Sequence, residues 1–149
     1  MKIEYREVDL TNRMQVAQLA HFLTANRDTK PHELDQLWQL PTASLTSPIR
    51  VYVAAIGATS VAKVVGCAAF SSHESLFGRK WWVENVLVAN DLRGQGIGAG
   101  LMKHLAEQAA GHGIAKLHLT SNPKRVAANG LYLKLGWTPY DTNVYHLDL

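Results

Sequence analysis

The chain has 149 residues, 47% hydrophobic and 18% charged, with 11 Gly and 5 Pro, the proportions of a folding globular chain rather than a disordered or collagen-like one. Its length suits a single domain over residues 1–149 with a real core and is short for two. The net charge of +3 comes from 15 Lys+Arg against 12 Asp+Glu, scattered rather than gathered in a stripe, which argues against nucleic acid as a partner.

Lys2 to Val8 alternates charged and apolar residues, which reads as a first strand and not as a signal peptide. Asp9 or Thr11 is then placed to cap a helix carrying Val16, Leu19, Ala20 and Leu23 at helical spacing. A second helix begins at Pro31 with Leu34, Leu37 and Trp38 on one face; Pro41 stops it, and Thr42 to Pro48 forms a Ser/Thr/Pro loop. Three strands follow at Val51 to Ile56, Val61 to Phe70 and Trp81 to Val88, joined by short polar or glycine turns, and predict an antiparallel meander. The lone cysteine, Cys67, lies in the apolar run of the second strand, which predicts a buried thiol and excludes an internal disulfide. Trp81 and Trp82 open the third, where alternation turns one ring to the core and the other to a helix or a cleft.

Val83 to Gly98 carries the strongest signal. An apolar, β-branched run leads straight into Arg93-Gly94-Gln95-Gly96-Ile97-Gly98, which opens an amphipathic helix over Gly96 to Gly111 with Ile97, Leu101, Leu105 and Ala109 recurring every four positions. Glycines let backbone approach a ligand closely, so that amides and a helix N-terminus converge on an anion. Ile114 to Thr120 is another strand. It makes a βαβ unit with the strand at 83–88, and the right-handed crossover makes those two strands parallel. Asn122 then offers a side-chain cap, Pro123 occupies the first turn of a helix reaching Leu135, and Gly136 terminates it; a last strand covers Val144 to Leu147. The fold expected is an α/β mixed sheet, antiparallel first and parallel in its second half, with helices on both faces.

The glycine turn admits three ligand classes. A Walker loop needs Lys followed by Ser or Thr, which is absent near Gly94 to Gly100. A dinucleotide fold needs an acidic residue about 20 positions on, yet no Asp or Glu stands between Glu107 and Asp141. Of the 7 histidines, none forms H-x-x-x-H or pairs with the cysteine, so no metal site is expected. No apolar run has transmembrane length, and a cytoplasmic location is expected.

The third class is the Gcn5-related N-acetyltransferase superfamily, which this sequence resembles over roughly residues 51–137. Its pyrophosphate signature, [RQ]-x-x-G-x-[GA], is matched by Arg93, Gly96 and Gly98. A Glu-Asn-Val-Leu-Val strand precedes it, and Ala-Ala-Asn-Gly-Leu-Tyr-Leu-Lys-Leu-Gly-Trp follows, ending at Trp137. The resemblance implies acetyl-CoA bound where the central parallel strands splay, its pyrophosphate on Arg93, Gly94, Gln95, Gly96, Ile97 and Gly98. It implies that the backbone of Leu87 and Val88 pairs with the pantetheine arm, the amide of Val88 polarising the thioester carbonyl. Glu84 resembles the base that takes the amine proton and Tyr132 the acid that protonates the departing thiolate. Asn129 is a candidate for the pantetheine. Arg125 stands where relatives often carry Asn, and is left for a phosphate or the substrate. The implied activity is direct acetyl transfer to a primary amine of a small molecule or peptide; the rival reading is a non-catalytic acyl-CoA-binding or interaction module. Family precedent is compatible with a homodimer.

Overall fold

The computed structural model describes residues 2–27, 49–57, 62–76 and 78–149. Strand β1 (Ile3–Glu7) leads into helix α1 (Arg13–Asn26). Then come β2 (Ile49–Ile56), β3 (Lys63–Ser75), β4 (Gly78–Val88), a 3-10 turn at Asn90–Leu92, helix α2 (Ile97–Gly111), β5 (Leu117–His118) and helix α3 (Val126–Lys134). The strands form one sheet in the order β1-β2-β3-β4-β5, antiparallel except for the parallel β4–β5 pair. The mixed α/β architecture is therefore the one expected. Antiparallel neighbours take connections of very different length, from two residues between β3 and β4 to the stretch holding α1 between β1 and β2, while the parallel β4–β5 pair has α2 as its crossover.

Each face of the sheet has its own core. On one side Leu19 and Phe22 of α1 pack with Val8, Val51, Val53, Cys67 and Ala69. On the other, Leu101, Met102, Leu105 and Ala109 of α2 and Tyr132 of α3 pack on Tyr52, Phe70, Trp81 and Val83. The every-fourth apolar pattern of α2 is buried throughout, from Ile97 to Ala109. Gly100 sits where β1 leans on this helix: a Cβ there would run into the Tyr5 hydroxyl. Tyr5 is in turn stacked on His104 one turn further along, with ring centroids 6.0 Å apart.

Several local expectations change. The cap of α1 is Asn12, whose side chain accepts from the amides of Met14 (3.0 Å) and Gln15 (3.3 Å). Asp9 and Thr11 bond each other instead, the Thr11 amide and hydroxyl donating to Asp9 Oδ1 at 2.9 and 2.6 Å. The third buried contact of α1 is Phe22, beside Val16 and Leu19. Helix α3 starts at Val126 rather than Pro123, because Asn122 Oδ1 accepts from the Lys124 amide at 2.8 Å and closes a separate turn. Gly136 does adopt the left-handed terminator conformation, with φ 85°. The expected last strand at 144–147 is not formed: residues 138–149 are exposed and belong to no strand. The expected helix at 31–41 and loop at 42–48 lie outside the described residues. No helix among the described residues is long and apolar enough to cross a membrane.

Candidate active site

The site is shaped by what happens to β4 halfway along. Ala69 pairs with Glu84 and Cys67 with Leu87, so Asn85 and Val86 together oppose the single residue Ala68. This is a β-bulge. Asn85 takes a left-handed conformation, φ 54°, one that Asn tolerates better than most side chains. The bulge breaks the simple alternation of faces along β4. Glu84 shares the α1 face with its register partner Ala69, and Leu87 returns to that face with Cys67, three residues on instead of two.

On its other side β4 loses its neighbour. Only Trp81–Leu117 and Trp82–His118 pair with β5; from Val83 onward β4 has no β5 partner. The edge so exposed is legible from its hydrogen bonds. Ala89 donates its amide to Val65 O of β3 at 2.9 Å. Backbone groups alternate sides along a strand, so Leu87 turns its amide and carbonyl to β3 while Val86 and Val88 turn theirs to the opening. Both outward carbonyls meet an arginine: Arg125 Nη2 donates to Val86 O at 3.5 Å, and Arg93 Nε donates to Val88 O at 3.4 Å. Of the two backbone positions expected to serve the opening, Val88 does face it and Leu87 does not. Val86 takes that place.

The glycine turn lies at the end of this edge. Gly94 (φ 77°) and Gly96 (φ 81°) are both left-handed, a conformation that strains any residue with a Cβ. Gly98 has a different reason to be small, since a Cβ would come within 3.3 Å of Leu131 Cδ2 and 3.6 Å of Val88 Cγ2. It lets α2 sit down on β4 and α3. The N-terminus of α2 has no side-chain cap, and its first intrahelical bond is Gly100 N–H to Gly96 O at 2.9 Å. The amides before it are left without a helical partner, as the first turn of any helix leaves them, and they open beside the exposed Arg93. The turn is tied to the other face as well: the Asn90 amide donates to Asn26 Oδ1 at the end of α1, 3.1 Å away.

Glu84 is half-buried. Among the described residues no ion pair or hydrogen bond engages its carboxylate, so the salt bridge that would make it a purely structural strand residue is missing. Tyr132 is buried on the opposite side of the sheet and packs on Trp137, with ring centroids 6.2 Å apart. Burial pushes its phenol above the usual 10.0, with the charge of Arg125 pulling the other way. The phenol therefore holds its proton through neutral pH. Asn129 is engaged locally, its Nδ2 donating to Asn122 O at 3.0 Å and to Pro123 O at 3.5 Å, so it braces the turn before α3. Cys67 is buried with its thiol pushed up to about 12 by desolvation, and Sγ donates to Asn85 O at 3.7 Å. Among the described residues no three His, Cys, Asp or Glu side chains gather as a metal-ligand set.

Sequence reasoning missed Val86, Asn85 and His118. The first two depend on a bulge that only pairing reveals. His118 lies in register with Trp82, the rings stacked at 5.1 Å and 29°. Trp81 is the ring that faces the core and Trp82 the one that faces the α1 side, as the alternation required.

A mixed sheet opening between two parallel strands, with a left-handed glycine turn and an uncapped helix at the mouth, is the architecture of an acetyltransferase. The model of the Acetyltransferase (GNAT) family matches residues 15–137, and the chain belongs to that family. Solved structures agree on the fold. A ribosomal-protein-alanine N-acetyltransferase from Brucella melitensis biovar Abortus 2308 is 18% identical, with all of both chains covered and a TM-score of 0.76. An acetyltransferase of Trypanosoma brucei is 23% identical, covering 99% of this chain and 100% of that one, at TM-score 0.72. AAC(6')-Iy, solved with the bisubstrate analog CoA-S-monomethyl-acetylneamine, is 12% identical, with 100% and 99% covered and a TM-score of 0.78. No match is found among curated proteins.

Proposed function

We propose that this chain moves an acetyl group from acetyl-CoA directly to a primary amine of a small molecule or peptide. The observation that carries the reading is the outward edge of β4 (Val86, Val88) running into the glycine turn and the uncapped α2 terminus; Glu84 and Tyr132, on either face of the same sheet, support it as proton-handling groups. The residues fit the co-substrate: Gly94 and Gly96 have open space above them where a side chain would otherwise stand, and the amides and Arg93 there suit a pyrophosphate. Bound there, acetyl-CoA supplies an activated acyl thioester.

The chain does the rest. The outward amide of Val88 is a fixed donor for the thioester carbonyl oxygen, where charge develops. An alkylamine with pKa about 10 is almost wholly protonated at neutral pH, and the unengaged carboxylate of Glu84 takes that proton, directly or through water. The Tyr132 phenol, protonated for the reason given above, donates to the sulfur as it leaves. Arg125, already on Val86 O, either yields that carbonyl to the pantetheine amide or turns to a phosphate.

Calorimetric titration with acetyl-CoA, with NAD as parallel control, tests the reading. One-to-one micromolar binding of acetyl-CoA alone, followed by amine-dependent thiol release, is the expected result. Failure to bind acetyl-CoA overturns the reading; binding without thiol release for any amine leaves a non-catalytic acyl-CoA-binding module.

A further inference from the structure

The α1 face of the sheet beside Glu84 carries a group that acetyl transfer itself does not use. Trp82 precedes Glu84 by two positions on the same strand face, and His118 of β5 stands in register with Trp82. The two rings are stacked, and both residues are half-buried. They occupy the last rung before β4 and β5 part, so one end of the opening is walled by aromatic surface. Glu84 is the first residue of that face beyond the wall.

We infer that Trp82 and His118 form the subsite for the body of the acceptor, and that the acceptor is a monocationic amine joined by a short spacer to a planar aromatic ring. The inference rests on the acetyl-transfer reading above and narrows its substrate. A cation is favoured because the Glu84 carboxylate has no partner among the described residues, and a flat ring because stacked rings extend by further offset stacking. Trp82 and Glu84 are two positions apart, about 7 Å along the strand, which matches an ammonium two or three carbons from its ring.

The neighbours weigh against the other amines. A polyamine needs several carboxylates, yet the next residues of this face along β3 and β4 are His73 and Lys80, in register with each other. An aminosugar needs several hydrogen-bonding groups for its hydroxyls. The side chains nearest in register are Ala69 and Ser71, and the Ser71 hydroxyl already lies 3.2 Å from His73 Nε2.

The test uses 2-phenylethylamine, butylamine, spermidine and glucosamine as probes. Thiol release with acetyl-CoA gives kcat/KM for each, and calorimetry of the CoA-saturated protein gives binding without turnover. Phenylethylamine is expected to exceed the other three by tenfold or more in kcat/KM. Trp82→Leu and His118→Leu are expected to erase that preference through KM, while Trp82→Phe keeps most of it and acetyl-CoA binding stays within twofold in all three variants. Should the leucine variants fail to fold, the wild-type ranking and the Trp82→Phe variant still decide. Equal kcat/KM for the ringed and ringless amines, or a preference untouched in the variants, overturns the subsite while leaving the transferase reading intact. Phenylethylamine binding that needs Trp82, with no turnover of any probe, does the reverse.

Discussion

Tyr132 and Glu84 occupy opposite faces of one sheet and differ in what surrounds them: a buried phenol held protonated, and a half-buried carboxylate without a partner. Removing the phenol's proton donor with Tyr132→Phe keeps the packing on Trp137, so the expected outcome is a kcat lowered tenfold or more with acetyl-CoA affinity nearly unchanged. Steady-state thiol release and calorimetry on the same preparation check it. Asn85 makes a separate demand. Its left-handed backbone tolerates Asn and Gly but strains a β-branched residue, so Asn85→Val should destabilise by roughly 1–2 kcal/mol while Asn85→Gly changes little. Urea midpoints of the two variants compare them directly. Glu84, Tyr132 and the arginine-glycine turn could be proposed from the sequence because each is a residue type tied to a spacing. Val86 was not: a strand's outward amides can be counted only once the extra residue at 85–86 is known, and that residue is fixed by pairing with Ala68 rather than by anything local.

At the scale of elements, the helix after the glycine turn was the easiest to read, since an apolar residue every four positions leaves one buried face and little choice of register. Where capping residues competed, sequence reading went astray. Asp9, Thr11 and Asn12 are all good caps, and the first two satisfy each other, leaving Asn12 for α1. Asn122 likewise closes a turn of its own, and α3 starts three residues late. A strand was expected at Val144 to Leu147, but a strand needs a neighbour to pair with, and the described sheet ends at β5. Between elements, the tightest constraint is β1 on α2 at Gly100. Gly100→Ala would improve helix propensity in isolation, yet the added methyl collides with Tyr5, which is itself held by stacking on His104. The net expectation is a loss of about 1–3 kcal/mol, seen as a lower Tm, because the clash outweighs the propensity gain of about 1 kcal/mol.

For the molecule as a whole, two buried acids set an alkaline limit. Folding raises Cys67 from 9.0 and Tyr52 from 10.0, each to about 12. The native state thus holds protons that the unfolded chain releases, so this stabilisation is complete below about pH 9 and is lost as pH climbs to 12. Denaturant midpoints should be level from pH 7 to 9 and fall steeply above, with Cys67→Ala shifting the onset of that fall toward 10, where Tyr52 takes over. The same burial has a practical side. The thiol release that would test the proposed transfer is measured with reagents that attack sulfhydryls, and this protein's one cysteine is sealed between sheet and helix. The folded protein adds no colour of its own to such an assay, and a slow rise from the protein alone, with neither acetyl-CoA nor amine present, counts molecules that have opened, giving the preparation a built-in clock of unfolding.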